Sequence, residues 1–531
     1  MSQTEANRQI ARAAGTVMFA IVFGQLAGLL RGVLVARAFG ASPELDAFFA
    51  ANRVSETLFL LVAGGALGSA FLPTFTGLLA KAERDSAWRL ASTLAKVVTL
   101  TLSLLAFLLA IFAPQVVRYA LAPGLSANTE LFSLTISLLR IQMISAVLFG
   151  LGGLIVGILN AHQVFLIPAL TPALYQFGII FGAVVLAPSM GIYGLAWGVV
   201  IGALMYLVIQ VPRLIRLFPQ PFPSSNLSNV RDPNTRQVLL LMLPRLLGVA
   251  VVQLNFWVNT NLASTMEEGS VTGLYYGFSL MLMAQAAIAQ SVAIAAMPTF
   301  SAQHALGKTD EIRSSLAASL RGILMMSLPA SIGLILLREP IISFLYQRGE
   351  FNEHDVQLVA WALLWYAAGL VGHSIMEVLT RAFFAQQDTR TPVLIGTIAM
   401  ALNVVFSLWF SSLFQQIGWF PLGGLALANS LATALEATAL FIVMRRRLNG
   451  IEENHILRGF IAFALAALGM GLTLLFWLEV SAGLMLWLAA LGGVALGGLV
   501  YGLLLFVLRV PEIQSITQFF LRRLHRFQRV D

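Results

Sequence analysis

Eight ionisable residues stand inside stretches of sequence that are otherwise apolar: Arg31, Arg53, Lys96, Arg140 and Arg245, with Glu56, Glu377 and Glu436. Asp46 lies just ahead of the second of these stretches. A charge at the centre of a lipid bilayer costs at least about 2.5 to 3.5 kcal/mol, so such residues face a partner or a water-filled cavity. Arg31, Asp46, Arg53 and Glu56 gather on the first two apolar segments, and Arg53 and Glu56, three residues apart, can pair on one helical face. Arginine presents a planar fork of donors that grips two phosphate oxygens at once. These residue types point to capture of an anionic headgroup by Arg31, Arg53 and Arg245, with Asp46 and Glu56 tuning them; the alternative for Arg53 and Glu56 is a buried pair that locks helices one and two together. Glu377 and Glu436 are the candidates for ion coupling, because a carboxylate at membrane depth titrates easily. Lys96 and Arg140 can snorkel to an interface.

Other chemistries find little support. The chain has no cysteine, which removes disulfides, thiolate nucleophiles and cysteine metal sites. His162, His304, His354, His373, His455 and His525 show no spacing that sets two ligands on one helical face, so neither a metal nor a cofactor is expected. The net charge of +8 comes from basic residues lying between long apolar runs, a pattern that sets membrane topology rather than one that binds nucleic acid. A membrane-embedded transferase would gather acidic groups or histidines on a substantial loop. The best such segment, 338–355 with Arg338, Glu339, Arg348, Glu350, Glu353 and Asp355, reads as a solvated loop, and no enzyme activity is expected.

The elements that must position these residues are membrane helices. Of the 531 residues, 58% are hydrophobic and 11% charged, with a mean hydropathy of +0.85, whereas a soluble domain is about 25% charged. At about twenty apolar residues per crossing, fourteen helices are expected near 14–38, 47–79, 91–120, 131–159, 167–187, 191–217, 237–265, 271–303, 314–346, 355–385, 391–415, 421–444, 457–478 and 483–508. The fold class is all-α and polytopic. With a cytoplasmic N-terminus, the inner loops hold most of the basic residues, from Arg8 and Arg12 through Arg321 and Arg445 to Arg447, while the outer loops hold Arg37, Arg118, Arg338 and Arg348. That asymmetry places both termini in the cytoplasm.

The chain also reads as a duplication. LPTFTGLLAKAERDSAWRLASTLAKVV from Leu72 parallels MPTFSAQHALGKTDEIRSSLAASLRGI from Met297, an offset of 225, and Pro114 and Pro168 have counterparts in Pro340 and Pro392. Six crossings per copy give both copies the same orientation, a recurrent transporter architecture with the substrate path between the lobes. The expected organisation is an N-terminal lobe over 1–218, a cytoplasmic linker over 219–236, a C-terminal lobe over 237–448, and a last helix pair with a basic tail over 449–531. On the seventh helix Gln253, Asn255, Asn259 and Asn261, and on the eighth Gln285 and Gln290, either bond between helices or line a hydrated path. Gly24, Gly28 and Gly32 give helix one a GxxxGxxxG face for close packing. A cation-coupled exporter of amphipathic small molecules satisfies the same layout, with Glu377 or Glu436 indispensable.

LRGVLVARAFGASPELDAFFAANRV from Leu30, GGALGSAFLPTF from Gly64, FLYQRGEFNEHD from Phe344 and RAFFAQQDTRTPV from Arg381 together resemble the MurJ/MviN family. The resemblance runs over nearly the whole chain. It implies a lipid II flippase of the bacterial inner membrane that moves an undecaprenyl-diphosphate-linked precursor outward by alternating access, or a relative that moves another polyprenyl-linked glycan. It further implies membrane lipids around the protein, a monovalent cation or the membrane potential as driving force, and a tail groove on the last helix pair. Arg31 matches the second of the family's helix-one arginines and Asp46 its aspartate before helix two. This chain departs from the family pattern with Gln25 at the first helix-one arginine, with Phe59 and Gly64 on helix two, and with Ser279 and Leu282 on helix eight.

Overall fold

The computed structural model describes residues 3–61, 70–218 and 232–513, apart from the side chains of 3–18, 21, 243–245 and 247. Every described element is helical: α1 Gln3–Phe39, α2 Pro43–Phe59, α3 Leu72–Ala80, α4 Arg84–Ile111, α5 Ala113–Gln115, α6 Thr129–Ala161, α7 Leu166–Phe181, α8 Ala187–Met190, α9 Ile192–Val208, α10 Val211–Leu217, α11 Pro233–Ser264, α12 Ser270–Gln285, α13 Ser291–Ala305, α14 Thr309–Leu336, α15 Arg338–Tyr346, α16 Glu353–Ala368, α17 Leu370–Ala385, α18 Arg390–Gln416, α19 Leu422–Arg447, α20 Glu453–Val480 and α21 Leu486–Val507. Among the described residues, eleven helices are long and apolar enough to cross a membrane, or twelve if α16 and α17 are one broken span. Each of the fourteen expected positions falls on helix, and residues 62–69 of the second, with Gly64, lie outside the described residues, as do 219–231 of the linker and the tail from 514.

Local chemistry explains where these helices begin. Ser42 accepts a hydrogen bond from the Leu45 amide and Pro43 opens α2, while Asp232 and Pro233 open α11 in the same way. Asn128 caps α6 by accepting from the amides of Glu130 and Leu131. Gly191, at φ +57, turns the chain between α8 and α9.

The chain divides into two compact units, Met1–Thr272 with Arg348–Asn352, and Gly273–Gln347 with Glu353–Asp531. In the first unit α1 packs on α7, α2 on α6 and α11, and α7 on α9. The α7–α9 contact is a glycine seam. A Cβ on Gly178 would lie 2.1 Å from the Gly202 Cα, and one on Gly198 would lie 2.8 Å from the Gly182 Cα. Small residues let membrane helices touch backbone to backbone. The triplet expected to do this, on α1, makes looser contacts: Gly24 and Gly28 come only within ordinary van der Waals range of Ala173 and Gln176 on α7. The Arg348–Asn352 segment docks on the end of α1, where the Glu350 amide donates to the Arg37 carbonyl. Gly349 has φ +64 there, and a Cβ on it would stand 2.3 Å from the same carbonyl oxygen, so the glycine of the YQRGEF motif is sterically required.

In the second unit α14, α17, α19 and α20 enclose a core that includes Phe300, Leu316, Leu320, Leu379, Phe383, Leu440, Met444 and Phe463. Helices α16 and α17 meet at a 47° bend. Its cause is local: the Ser430 hydroxyl of α19 donates to the Trp365 carbonyl, and Gly369 leaves the space that this serine occupies. A Cβ on Gly369 would lie 2.3 Å from the Ser430 oxygen. Gly369→Ala is therefore expected to lower stability by about 1 to 3 kcal/mol, the usual cost of overpacking, read as a lower melting temperature in detergent. A paired Ser430→Ala change should recover little of that loss, because the Ser430 Cβ and Cα would still lie 2.6 and 2.8 Å from the added carbon.

Candidate functional site

Asp46, Arg53 and Glu56 all stand on α2, which packs on α11 in the first unit. Asp46, buried in the first turn of α2, accepts from the Gly269 amide at 2.9 Å, the Thr272 amide at 2.7 Å and the Thr272 hydroxyl at 2.6 Å. Both carboxylate oxygens thus close the start of α12 and tie it to α2. Two turns further along α2, Arg53 pairs with Glu56 at 3.2 Å, as their three-residue spacing allows. Asn52 donates to the other Glu56 oxygen at 2.8 Å. The Arg53 guanidinium also lies 5.0 Å from the centre of the Phe256 ring on α11, a cation–π contact. Thr57 joins the same two helices, donating to Gln253 at 3.3 Å and accepting from the Trp257 indole at 2.8 Å.

Several polar atoms in this part of the unit are buried without a hydrogen-bond partner: the Arg53 Nε, the Asn52 Oδ1 and both ends of the Gln142 amide. The arginine–glutamate pair itself is 20% and 28% exposed, so neither side chain is sealed within the unit.

The other expected residues are more dispersed. Arg31 is half-buried on α1 and Gln25 is exposed on the same helix. Arg245 belongs to α11, but its side chain lies outside the described residues. Phe59, at a position where the family pattern has a charge, packs into an aromatic cluster with Phe149 and Tyr206. Arg140 is exposed and donates to the Ala110 carbonyl at 3.0 Å. Glu377 pairs with Arg381 at 3.1 Å within α17, whereas Glu436 is buried in α19 with 8% exposure.

Two further features stand in the second unit. The first is an apolar groove of about 300 Å³ lined by Pro329, Gly333, Leu334, Met470, Leu474, Gly493 and Gly497, where α14 meets α20 and α21, the helix pair on which the resemblance implies a groove. Gly333 on α14 and Gly493 and Gly497 on α21 leave its space. The second is Arg321, expected in a cytoplasmic loop but 4% exposed within α14. Its Nη2 bonds Glu512 at 2.9 Å, another guanidinium N–H meets the His455 carbonyl, and the group lies 5.5 Å from the Phe463 ring centre. The apolar periodicity of RSSLAASLRGILMM continues through Arg321, which was the available sign that it sits on a helix.

The QDTRTPV motif has a structural explanation. Asp388 accepts from the amides of Arg390 and Thr391 at 3.0 Å each and from the Thr391 hydroxyl at 2.7 Å, so it fastens the start of α18; Arg447 at the end of α19 pairs with it. Partial burial pushes the Asp388 carboxyl up, but the bonds from Thr391 and Arg447 outweigh it and hold the group down at about 2. A depressed carboxyl stabilises the fold above its unfolded value and loses that contribution as pH falls through the folded one. Wild type should therefore lose stability between about pH 4 and pH 2, and Asp388→Asn should flatten that part of the curve in detergent melting scans.

These features define a polytopic α-helical membrane protein with charged residues on its second helix and an apolar groove in its second unit. A family model described as "Lipid II flippase MurJ" matches residues 35–491. The chain belongs to this family. It is 31% identical over 481 residues to a lipid II flippase MurJ of Burkholderia cenocepacia, covering 90% of each chain. It is 28% identical to a probable lipid II flippase MurJ of Vibrio cholerae, covering 98% of this chain and all of the relative. Among solved structures, a lipid II flippase MurJ in an inward closed conformation has the same fold, with a TM-score of 0.79 at 24% identity over 94% of this chain and 99% of the other.

Proposed function

We propose that this chain carries lipid II, the undecaprenyl-diphosphate-linked peptidoglycan precursor, from the cytoplasmic to the outer leaflet of a bacterial inner membrane by alternating access. The observation that carries this reading is the match to the flippase family over residues 35–491, which takes in nearly all the membrane helices.

The local chemistry agrees with it. Arg53, exposed enough to meet a ligand and holding an unpartnered buried Nε, has the donor geometry for diphosphate oxygens. Arg31 and Arg245 add positive charge from α1 and α11, Gln25 adds an amide, Glu56 neutralises Arg53 between turnovers, and Asp46 fixes the start of the helix on which Arg53 stands. The groove along α14, α20 and α21 suits a polyprenyl tail, since an apolar chain gains nothing by entering a wet, charged site. Translocation makes and breaks no covalent bond, so no catalytic group is needed. The membrane potential or a monovalent cation drives the cycle, and both termini lie in the cytoplasm.

The test is to express the chain in cells depleted of their own flippase and to follow the accessibility of lipid II at the outer leaflet. Restored accessibility is expected. Normal membrane insertion without restored accessibility would refute lipid II as the cargo.

A further inference from the structure

Glu436 is a buried acid that the headgroup and tail sites leave unused. It lies near the middle of the span Leu422–Arg447 and is 8% exposed. Among the described residues its carboxylate makes no hydrogen bond and no ion pair, unlike Asp46, Glu56 and Glu377. It is pressed against the backbone of α18, where a Cβ on Gly396 would come within 3.1 Å of its Oε1. An ionised carboxylate without a partner is costly in such a place.

The surroundings leave a proton as the simplest ligand. Helices α16, α17 and α18 pack against α19. Between Arg390 and Gln416, α18 has no titratable side chain; α16 carries Glu353, His354 and Asp355 at its start and Tyr366 near its end. On α17, Glu377 is paired with Arg381, and His373 bonds Asn429 of α19 at 3.1 Å. Arg445, Arg446 and Arg447 follow Glu436 on its own helix by nine residues or more. No group of three or more carboxylates and histidines that could hold a metal ion occurs among the described residues. Asn429, Thr433 and Glu436, all buried, follow one another at helical spacing and form a polar face that runs from the acid towards His373.

We infer that Glu436 is a proton-binding site of the second unit, neutral while buried and releasing its proton when the transport cycle opens it to water. The step is a single transfer between a carboxyl oxygen and water, with no change of oxidation state. Coupling to the cycle rests on the flippase reading above; protonation at rest does not.

Two measurements separate these parts. Infrared spectra of the purified full-length protein at pH 7 should contain a protonated-carboxyl C=O band that is lost in Glu436→Gln and retained in His373→Gln. If wild type lacks the band, or Glu436→Gln keeps it, the site is refuted whatever the cargo. In proteoliposomes containing lipid II, an imposed pH gradient should change the wild-type transport rate, and Glu436→Gln should lose that response while remaining folded. A response that persists in Glu436→Gln, or disappears only in His373→Gln, would overturn the coupling. Absence of any lipid II movement by wild type would instead overturn the flippase reading and leave the infrared result standing on its own.

Discussion

Arg53→Ala is expected to remove most of the lipid II transport while leaving insertion and expression intact. A hydrogen bond to a charged group contributes about 1.5 to 3 kcal/mol, so losing two bonds to one diphosphate costs about 3 to 6 kcal/mol, or roughly two to four decades in affinity. Arg53→Lys keeps the charge but not the planar fork and should fall between wild type and alanine. The competing explanation is that Arg53 only braces α2 against α11 through Phe256 and its pair with Glu56. A bracing role predicts a lower melting temperature with an unchanged dependence of initial rate on lipid II concentration. Headgroup binding predicts a shifted concentration dependence with little change in melting. Measuring both in proteoliposomes and in detergent decides between them.

The second large effect is on stability. Removing one member of a buried ion pair strands the other, and Arg321 is buried while Glu512 is 25% exposed. Glu512→Ala should therefore cost about 3 kcal/mol, the low end for such a change, and lower the melting temperature in detergent. Replacing both residues, Arg321→Met with Glu512→Ala, should recover much of the loss because no uncompensated charge remains. Desolvation works against the charged form of Glu512, but its bonds to Arg321 prevail and hold its carboxyl below the usual range. The pair's contribution is fully present above the ordinary glutamate value of about 4.3 and disappears as pH falls through the lowered folded value. An unchanged acid limb in Glu512→Ala would refute this assignment.

Much of the fold was legible because lipid imposes one rule: the backbone must satisfy itself, and long apolar runs then can only be helices. α2 and α11 begin four residues ahead of the expected 47 and 237, at Pro43 and Pro233, because the caps Ser42 and Asp232 and the prolines after them open helices for the same local reasons that apply in water. The Arg53–Glu56 pair was readable from a three-residue spacing. Contacts between distant segments were not readable. Nothing in the sequence around Asp46 indicates that its carboxylate closes a helix more than two hundred residues away. Arg321 read as a loop residue because counting charges between apolar runs assigns them to water, and its partner Glu512 lies far along the chain. The tight glycine seam was written in Gly194, Gly198 and Gly202 as plainly as in Gly24 and Gly28, yet pattern alone does not say which small-residue face meets another backbone.

That seam limits how the first unit can deform. Side chains that interdigitate can exchange rotamers and let one helix slide past its neighbour, but bare backbones in contact have no such slack. Displacing α7 along α9 drives peptide atoms directly into one another, so the two behave mechanically as a single beam. Strain during turnover must be absorbed elsewhere, at joints such as the bend beside Gly369, and cross-linking α7 to α9 should leave turnover unimpaired.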